Sequence, residues 1–259
     1  MSTESGVTPQ PGALLGQVAL VTGASSGLGR ATALGLARGG ADLILLAHGE
    51  ADLRKVADEV QALGRRAEVS AVDLADSAAL LDAVGPGVEG LGRLDILINN
   101  AGTDVPGPVV DLDVEDWDRV LGVNLRAPFL LSKVAFGHMQ RAGRSTIINV
   151  SSVAGKRGWA DASAYCTSKF SLTGFTQALA AEGKPHGIRA SVVYPGGMAT
   201  HCGTFDPKSR GGERQNTPSP ADALPPDRVA DLLVWMCVAP SELVLNEVIV
   251  TPLNEVGWP

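Results

Sequence analysis

Cysteine and histidine are scarce in this chain of 259 residues, and aromatic residues make up only 4% of it. The three cysteines, Cys166, Cys202 and Cys237, are too few and too widely spaced for a disulfide framework or a CxxC motif. The four histidines show no metal-ligand spacing, so we expect no metal site. This scarcity argues against a disulfide-stapled secreted protein and favours a reducing cytoplasm.

Positive charge and long apolar runs are also lacking. Lys and Arg number 21 against 28 Asp and Glu, which gives a net charge of −7. No basic cluster offsets this charge, so we expect no nucleic-acid partner. No uninterrupted apolar stretch reaches the roughly 20 residues that a membrane helix needs, so we expect a soluble protein with no membrane partner. Residues 1–15 lack a signal-peptide pattern and are predicted to be a flexible tail.

From residue 16 onward, short apolar strands alternate with helical patterns. Strands are predicted at 18–22, 41–47, 67–73, 94–99, 145–151, 188–194 and 247–251. Helices are predicted at 28–40, 51–64, 114–143, 162–183 and 227–238, with a short one broken by Gly-Pro-Gly at 85–87. Such alternation predicts an α/β fold in which a doubly wound parallel sheet is covered by helices on both faces. Residues 16–259 are therefore interpreted as a single domain.

One irregular segment, residues 196–226, is rich in Gly, Pro and Ser and exceeds ordinary connection lengths. We interpret it as a substrate lid, with simple disorder as the alternative. Ligands of doubly wound sheets bind outside the carboxyl ends of the strands, and this segment follows the sixth strand.

The first strand ends in TGASSGLG, residues 22–29, which spaces Gly23, Gly27 and Gly29 as GxxxGxG. Glycines here permit a tight turn and a close approach of a pyrophosphate to the backbone, with a helix N-terminus presenting free N–H groups. The alternative is a glycine-rich turn that only joins strand to helix.

The stretch AYCTSKF places Tyr165 and Lys169 one helical turn apart, on the same face of a helix. A free phenol has a pKa near 10, and a neighbouring cation typically lowers such a value by about 1–3 units. This pair is therefore a candidate for general acid–base chemistry, or else two unrelated neighbours. Ser152 ends the fifth strand, where its hydroxyl can hold a substrate oxygen. Adjacent strand residues face opposite sides, so Ser151 and Ser152 do not both point at the site.

Together with NNAG (99–102), Asn124 within VNL, and PGGMAT (195–200), these motifs resemble the short-chain dehydrogenase/reductase family over residues 17–251. The resemblance implies a Rossmann-like enzyme in which Tyr165 exchanges a proton while hydride passes to or from a nicotinamide. It also implies that Ser152 is the serine of the site, that Lys169 grips the ribose hydroxyls, and that Asn124 holds a water.

The resemblance further implies which residues bind the dinucleotide, with Asp73 at the adenine. The full set is Gly23, Ser25, Ser26, Gly27, Leu28, Gly29, His48, Asp73, Leu74, Asn100, Ala101, Gly102, Tyr165, Lys169, Pro195, Gly196, Met198 and Thr200. Ala47 stands where an NAD-specific site usually has an acidic residue, so nothing there repels a 2′-phosphate. His48 and Ser26 can hydrogen-bond that phosphate, although the usual arginine is missing. We therefore expect NADP(H) in preference to NAD(H).

The predicted function is an NADP(H)-preferring oxidoreductase that interconverts a carbonyl and a secondary alcohol on a small organic molecule. The ending NEVIVTPLNEVGWP resembles a subgroup that is often made of NADP-linked reductases of small hydroxy or carbonyl compounds, and relatives are commonly dimers or tetramers. Alternatives are an NAD-dependent alcohol dehydrogenase of the same family and a non-catalytic dinucleotide-binding regulator. An epimerase or dehydratase, a third alternative, usually has a longer chain.

Overall fold

The computed structural model describes residues 12–199, 223–240 and 242–254, and it confirms the predicted fold. Seven parallel strands form one sheet in the order β3-β2-β1-β4-β5-β6-β7. The strands are β1 (Val18–Thr22), β2 (Asp42–Ala47), β3 (Ala67–Ala71), β4 (Ile96–Asn99), β5 (Ser145–Val150), β6 (Ile188–Pro195) and β7 (Glu247–Val250). The α-helices are α1 (Gly27–Arg38), α2 (Glu50–Ala62), α3 (Ser77–Leu91), α4 (Val114–Leu121), α5 (Ala127–Ala142), α6 (Ser163–Gly183) and α7 (Pro226–Val238).

Both faces of the sheet are buried, which explains why its central strands are mainly apolar and are buried at every position. Along β1, Val18 and Leu20 pack on one side against α3, α5 and α6. Ala19 and Val21 pack on the other side against α1, α2 and α7. This alternation is the two-residue period of a strand applied to a sheet with helices on both faces.

The topology fixes where a ligand can bind. The chain moves from β1 outward through β2 and β3, and then returns to place β4 on the other side of β1. This reversal opens a crevice at the carboxyl ends of β1 and β4, which is where doubly wound sheets bind nucleotides. The sequence motifs that end these strands therefore converge on one edge.

Helix α3 differs from the prediction, because it continues through Gly-Pro-Gly to Leu91 instead of breaking there. A proline inside a helix costs about 3 kcal/mol. The apolar face of α3, including Leu80, Val84 and Val88, is buried in the core, and that packing outweighs the local preference. Gly87 also lets the helix lie close to β2, since a Cβ there would come within 3.0 Å of Ile44.

The long helical region predicted at 114–143 is confirmed, but it contains a π-helical turn at Gly122–Arg126 between α4 and α5. Within the described residues, the run Val114–Ala142 is the one helix long and apolar enough to cross a membrane by length and composition, which our sequence expectation did not foresee. Leu131, Ala135 and Met139 on this helix pack into the core. A core helix meets the same two criteria.

The packed part of the chain begins before residue 16. Leu14 is fully buried, and its N–H donates to the carbonyl oxygen of Gly39 at 2.8 Å. Residues 1–11 of the predicted tail, and residues 200–222 of the predicted lid, lie outside the described residues. The two ends of the lid segment meet in a bridge between Met198 and Leu224.

Candidate active site

The glycine turn between β1 and α1 forms an open backbone cradle. Gly23 and Gly27 have φ angles of +65° and +52°, which glycine adopts without strain. A Cβ at Gly29 would lie 2.1 Å from the carbonyl oxygen of Gly23, so a side chain cannot be accommodated there. Ser26 caps α1 in an extended conformation and is exposed. The cradle and the α1 N-terminus fit a pyrophosphate.

Thr22, which we did not predict as a site residue, ties this cradle to the segment after β4. Its hydroxyl oxygen accepts hydrogen bonds from the backbone N–H groups of Asn100 (2.9 Å) and Ala101 (3.0 Å). The Asn100 side chain donates in return to the carbonyl oxygen of Thr22 at 2.9 Å. Its position directly before the glycine turn is the sequence feature that could have identified Thr22 as a site residue.

Asn124 is 1% exposed and lies in the π-helical turn. Its Nδ2 donates to the carbonyl oxygen of Thr103 (2.8 Å) and to the Oγ of Ser168 (3.0 Å), while its Oδ1 accepts from the N–H of Thr103 (2.8 Å). The side chain thereby joins the loop after β4 to α6. The π turn is typical of functional sites, and the role of Asn124 as a water ligand stays a prediction.

Tyr165 and Lys169 share one face of α6, as their spacing predicted. Lys169 is only 3% exposed, and its Nζ donates to the carbonyl oxygen of Val150 at 3.0 Å. The same Nζ lies 5.6 Å from the centre of the Tyr165 ring. A buried ammonium needs polar partners, and here it sits at the end of β5 beside a partly exposed phenol.

The two serines at the end of β5 have different surroundings. Ser151 is buried, and its hydroxyl donates to the backbone carbonyl of Lys169 at 3.2 Å. Ser152 is partly exposed and begins residues 152–157, which we call the serine turn; its Oγ accepts from the N–H of Ala154 at 3.1 Å. Ala154 belongs to a small buried cluster against which Tyr165 packs. Ser152 is thus the more accessible of the two serines, in a turn that contributes to this cluster.

Asp73 marks the far end of the crevice. Its carboxylate accepts from the N–H of Ala75 at 3.0 Å and pairs with Arg119 at 3.0 Å. The Ala75 N–H and the Arg119 guanidinium, with a smaller contribution from His48, hold the pKa of Asp73 below its usual value although burial opposes this. His48 itself is exposed, directly after β2. Asp73 is therefore an ionised acceptor, and Arg119 is a neighbour that sequence reasoning missed.

The remaining predicted residues line the same edge. Leu28 and Leu74 are buried next to the glycine turn and Asp73, whereas Ser25 is partly exposed. Gly102 follows β4, where a Cβ would lie 3.5 Å from both Asn124 Oδ1 and Lys169 Nζ.

Pro195 is buried at the end of β6, and Gly196 donates its N–H to Val250 of β7 at 2.8 Å. Met198 packs against the core on the α1 side of the sheet. Thr200 lies outside the described residues.

A glycine cradle at the switch point of a parallel sheet, with Ser152, Tyr165 and Lys169 beside it, defines a dinucleotide-dependent oxidoreductase. The family model described as short chain dehydrogenase matches residues 17–209. The chain belongs to the short-chain dehydrogenase/reductase family, and the resemblance seen in the sequence is confirmed.

Relatives and solved structures agree with this assignment. The short-chain reductase protein NovJ of Streptomyces niveus is 39% identical over 204 residues, which cover 79% of this chain and 78% of NovJ. A metagenomic short-chain oxidoreductase solved with NADP is 36% identical, with a TM-score of 0.79 over 93% of this chain and 99% of that one. Carveol dehydrogenase of Mycobacterium avium, solved with NAD, is 28% identical, with a TM-score of 0.81 over 92% and 96%.

Proposed function

We propose that this protein is an NADP(H)-preferring oxidoreductase that interconverts a carbonyl and a secondary alcohol on a small organic substrate. The observation that carries the proposal is the buried Lys169 ammonium beside the partly exposed phenol of Tyr165. A cation favours the ionised form of a neighbouring phenol, and a phenol that can lose and regain its proton is a general acid and base.

In the reduction direction, Ser152, Tyr165 and Lys169 have different tasks. The Ser152 hydroxyl donates to the carbonyl oxygen of the substrate and holds it next to Tyr165. Tyr165 then gives its hydroxyl proton to that oxygen, and the phenolate left behind is stabilised by Lys169 until solvent restores the proton. In alcohol oxidation the proton moves the other way. A bound nicotinamide supplies or accepts the hydride.

Groups along the crevice would hold the dinucleotide. The glycine cradle would bind the pyrophosphate, Lys169 the ribose hydroxyls, and Asp73 would accept from the amino group of the adenine. His48 and Ser26, both exposed beside the ends of β2 and β1, take the 2′-phosphate. Ala47 presents no carboxylate that would repel it.

The cofactor preference is tested by titrating NADPH and NADH into the protein and following the protein fluorescence. We expect tighter binding of NADPH in the wild type. In His48→Ala the NADPH affinity falls while the NADH affinity is retained, because NADH lacks the phosphate that His48 contacts. Equal affinities in the wild type would refute the NADP(H) preference.

Catalysis is tested by following absorbance at 340 nm with NADPH and a broad panel of ketones and aldehydes, with Tyr165→Phe as the background. We expect consumption that depends on both the carbonyl compound and Tyr165. A folded wild type that binds NADPH and reduces nothing would favour the alternative of a dinucleotide-binding regulator.

We also propose that the protein acts in the cytoplasm as a homodimer or homotetramer. Strand β7 forms one edge of the sheet and exposes Ile249, and Leu253 beyond it is fully exposed. An exposed strand edge with apolar residues readily pairs with another chain. Light scattering after size-exclusion chromatography gives the mass directly, and a monomer at micromolar concentration would contradict the assembly.

A further inference from the structure

Glu247, at the start of β7, is the centre of a polar network whose side chains are not among the predicted site residues. Its carboxylate pairs with Lys156 and accepts from Gln177 Nε2 at 2.8 Å. The hydroxyl of Tyr194, a fully buried side chain on β6, lies 3.2 Å from the same carboxylate. Lys156 Nζ also lies 4.6 Å from the centre of the Tyr194 ring. Four elements of the fold therefore meet at one carboxylate.

The network reaches the backbone of the catalytic helix. The Tyr194 hydroxyl lies 3.1 Å from the Oγ1 of Thr173, which donates to the backbone carbonyl of Lys169 at 3.1 Å. The Ser151 hydroxyl donates to that same carbonyl at 3.2 Å. Close polar contacts thus run from β7 through β6 to the backbone of Lys169 and the end of β5. The single proton of the Tyr194 hydroxyl serves either Glu247 or Thr173, so these contacts are not all hydrogen bonds at the same time.

Each arm of the network starts close to a reacting or cofactor-binding residue. Lys156 follows Ser152 in the compact serine turn, where Gly155 N–H donates to the Ser152 carbonyl at 2.8 Å. A Cβ at Gly155 would lie 2.5 Å from Ser151 Oγ, so the turn is pressed directly against its neighbours. Because the turn is this tight, a displacement of Lys156 moves Ser152.

We propose that Glu247 and Lys156 are positioning residues that clamp the serine turn against β7. This clamp would hold the Ser152 side chain in its position relative to Tyr165. The inference rests on the proposed function for its catalytic consequence, although the clamp itself is a structural feature. It assigns a task to the Asn-Glu-Val segment near the C-terminus, which had suggested only a substrate class.

The charges of the clamp agree with this role. The Lys156 ammonium, and then Gln177, hold the pKa of Glu247 below its usual value, and Glu247 raises the pKa of Lys156. Both side chains are about a third exposed, at 30% and 28%, so the pair contributes little to global stability. Burial raises the pKa of Tyr194, which therefore remains a hydrogen-bond donor at neutral pH.

The experiment compares Glu247→Ala, Lys156→Met and Lys156→Arg with the wild type. We expect the first two to lower kcat by about tenfold to a hundredfold, because small displacements at a reacting group have large effects on rate. Their NADPH affinity stays within about twofold, since the glycine cradle is remote. Lys156→Arg keeps the ion pair and restores most of kcat. Glu50→Gln, which removes an exposed ion pair with Arg54 on α2, is the matched control.

Hydrogen exchange of the Gly155 and Lys156 amides gives a second readout that needs no substrate. We expect about tenfold faster exchange in Glu247→Ala and Lys156→Met, and unchanged exchange in Glu50→Gln and in the core strands. Wild-type turnover is measured first, so an inactive wild type would refute the proposed function while exchange still tests the clamp. Unchanged kcat together with unchanged exchange in a folded Glu247→Ala would overturn the clamp, and so would a Lys156→Arg variant as impaired as Lys156→Met.

Discussion

The chain has only two tyrosines, and each has a lysine ammonium over its ring. Lys169 Nζ lies 5.6 Å from the ring centre of Tyr165, and Lys156 Nζ lies 4.6 Å from that of Tyr194. By proximity alone the second pair would be the better candidate for acid–base chemistry. Its surroundings give it a different task.

The exposure of the phenol separates the two pairs. Tyr194 is fully buried, and its lysine is neutralised by Glu247. Burial raises the pKa of Tyr194, and Glu247 adds to this, although Thr173 and Lys156 oppose the shift. Tyr165 is partly exposed, at the carboxyl edge of the sheet. We therefore expect a lysine near a phenol to indicate acid–base chemistry only where the phenol is accessible to a ligand.

The largest expected effect comes from replacing each tyrosine by phenylalanine. Tyr165→Phe removes the proposed general acid, and we expect it to lower kcat by about 10²–10⁴-fold with little change in thermal stability. Tyr194→Phe has the opposite signature, because it removes a buried hydroxyl and lowers the free energy of unfolding by about 1 kcal/mol. Its kcat falls by about tenfold at most. Steady-state kinetics and urea unfolding of both variants measure these opposite losses of rate and of stability. Equal losses of kcat in the two variants would contradict the prediction.

A smaller effect is expected at Gly155, in the serine turn. An alanine at Gly155 would bring its Cβ within 2.8 Å of the Lys169 carbonyl oxygen and within 2.5 Å of Ser151 Oγ. We expect Gly155→Ala to destabilise the fold by about 1–3 kcal/mol and to lower kcat as the serine turn shifts. At Gly158 a Cβ would have no described atom within 4 Å, so Gly158→Ala is the matched control. Similar melting temperatures for the two variants would refute the prediction.

The smallest effect is the pH dependence of the Glu247 carboxylate at the Tyr194 site. The pKa of Glu247 is lower in the folded protein than the unfolded value of about 4.3, so its contribution is present above that pH and is lost as pH falls. The pair is partly exposed, and we expect under about 1 kcal/mol. The difference in unfolding free energy between wild type and Glu247→Gln should shrink between pH 6 and about pH 3. A constant difference would show that the charge contributes nothing.

Sequence patterns predicted the fold well because its strands are short apolar runs between strong turn signals. They failed at α3, where Gly-Pro-Gly predicts a break and only the packed core shows that the helix continues. The π turn around Asn124 was equally invisible, since one inserted residue hardly changes a helical pattern.

For the candidate site, local spacing was enough to pair Tyr165 with Lys169, and strand alternation showed that Ser151 and Ser152 cannot share a role. Lys156 and Glu247 are 91 residues apart in the chain, so no periodicity connects them. Tyr194 was the one sequence feature that pointed to this network, because a tyrosine buried among apolar strand residues requires polar partners for its hydroxyl.

The central claim, that the Lys169 ammonium makes the Tyr165 proton easier to exchange, is tested most directly by the pH profile of alcohol oxidation in Lys169→Met at saturating dinucleotide. We expect kcat to fall, and the pH of half-maximal rate to move at least about one unit toward alkali, because the phenolate loses its stabilising cation. A variant that binds dinucleotide and keeps the wild-type turnover and pH profile would contradict the claim.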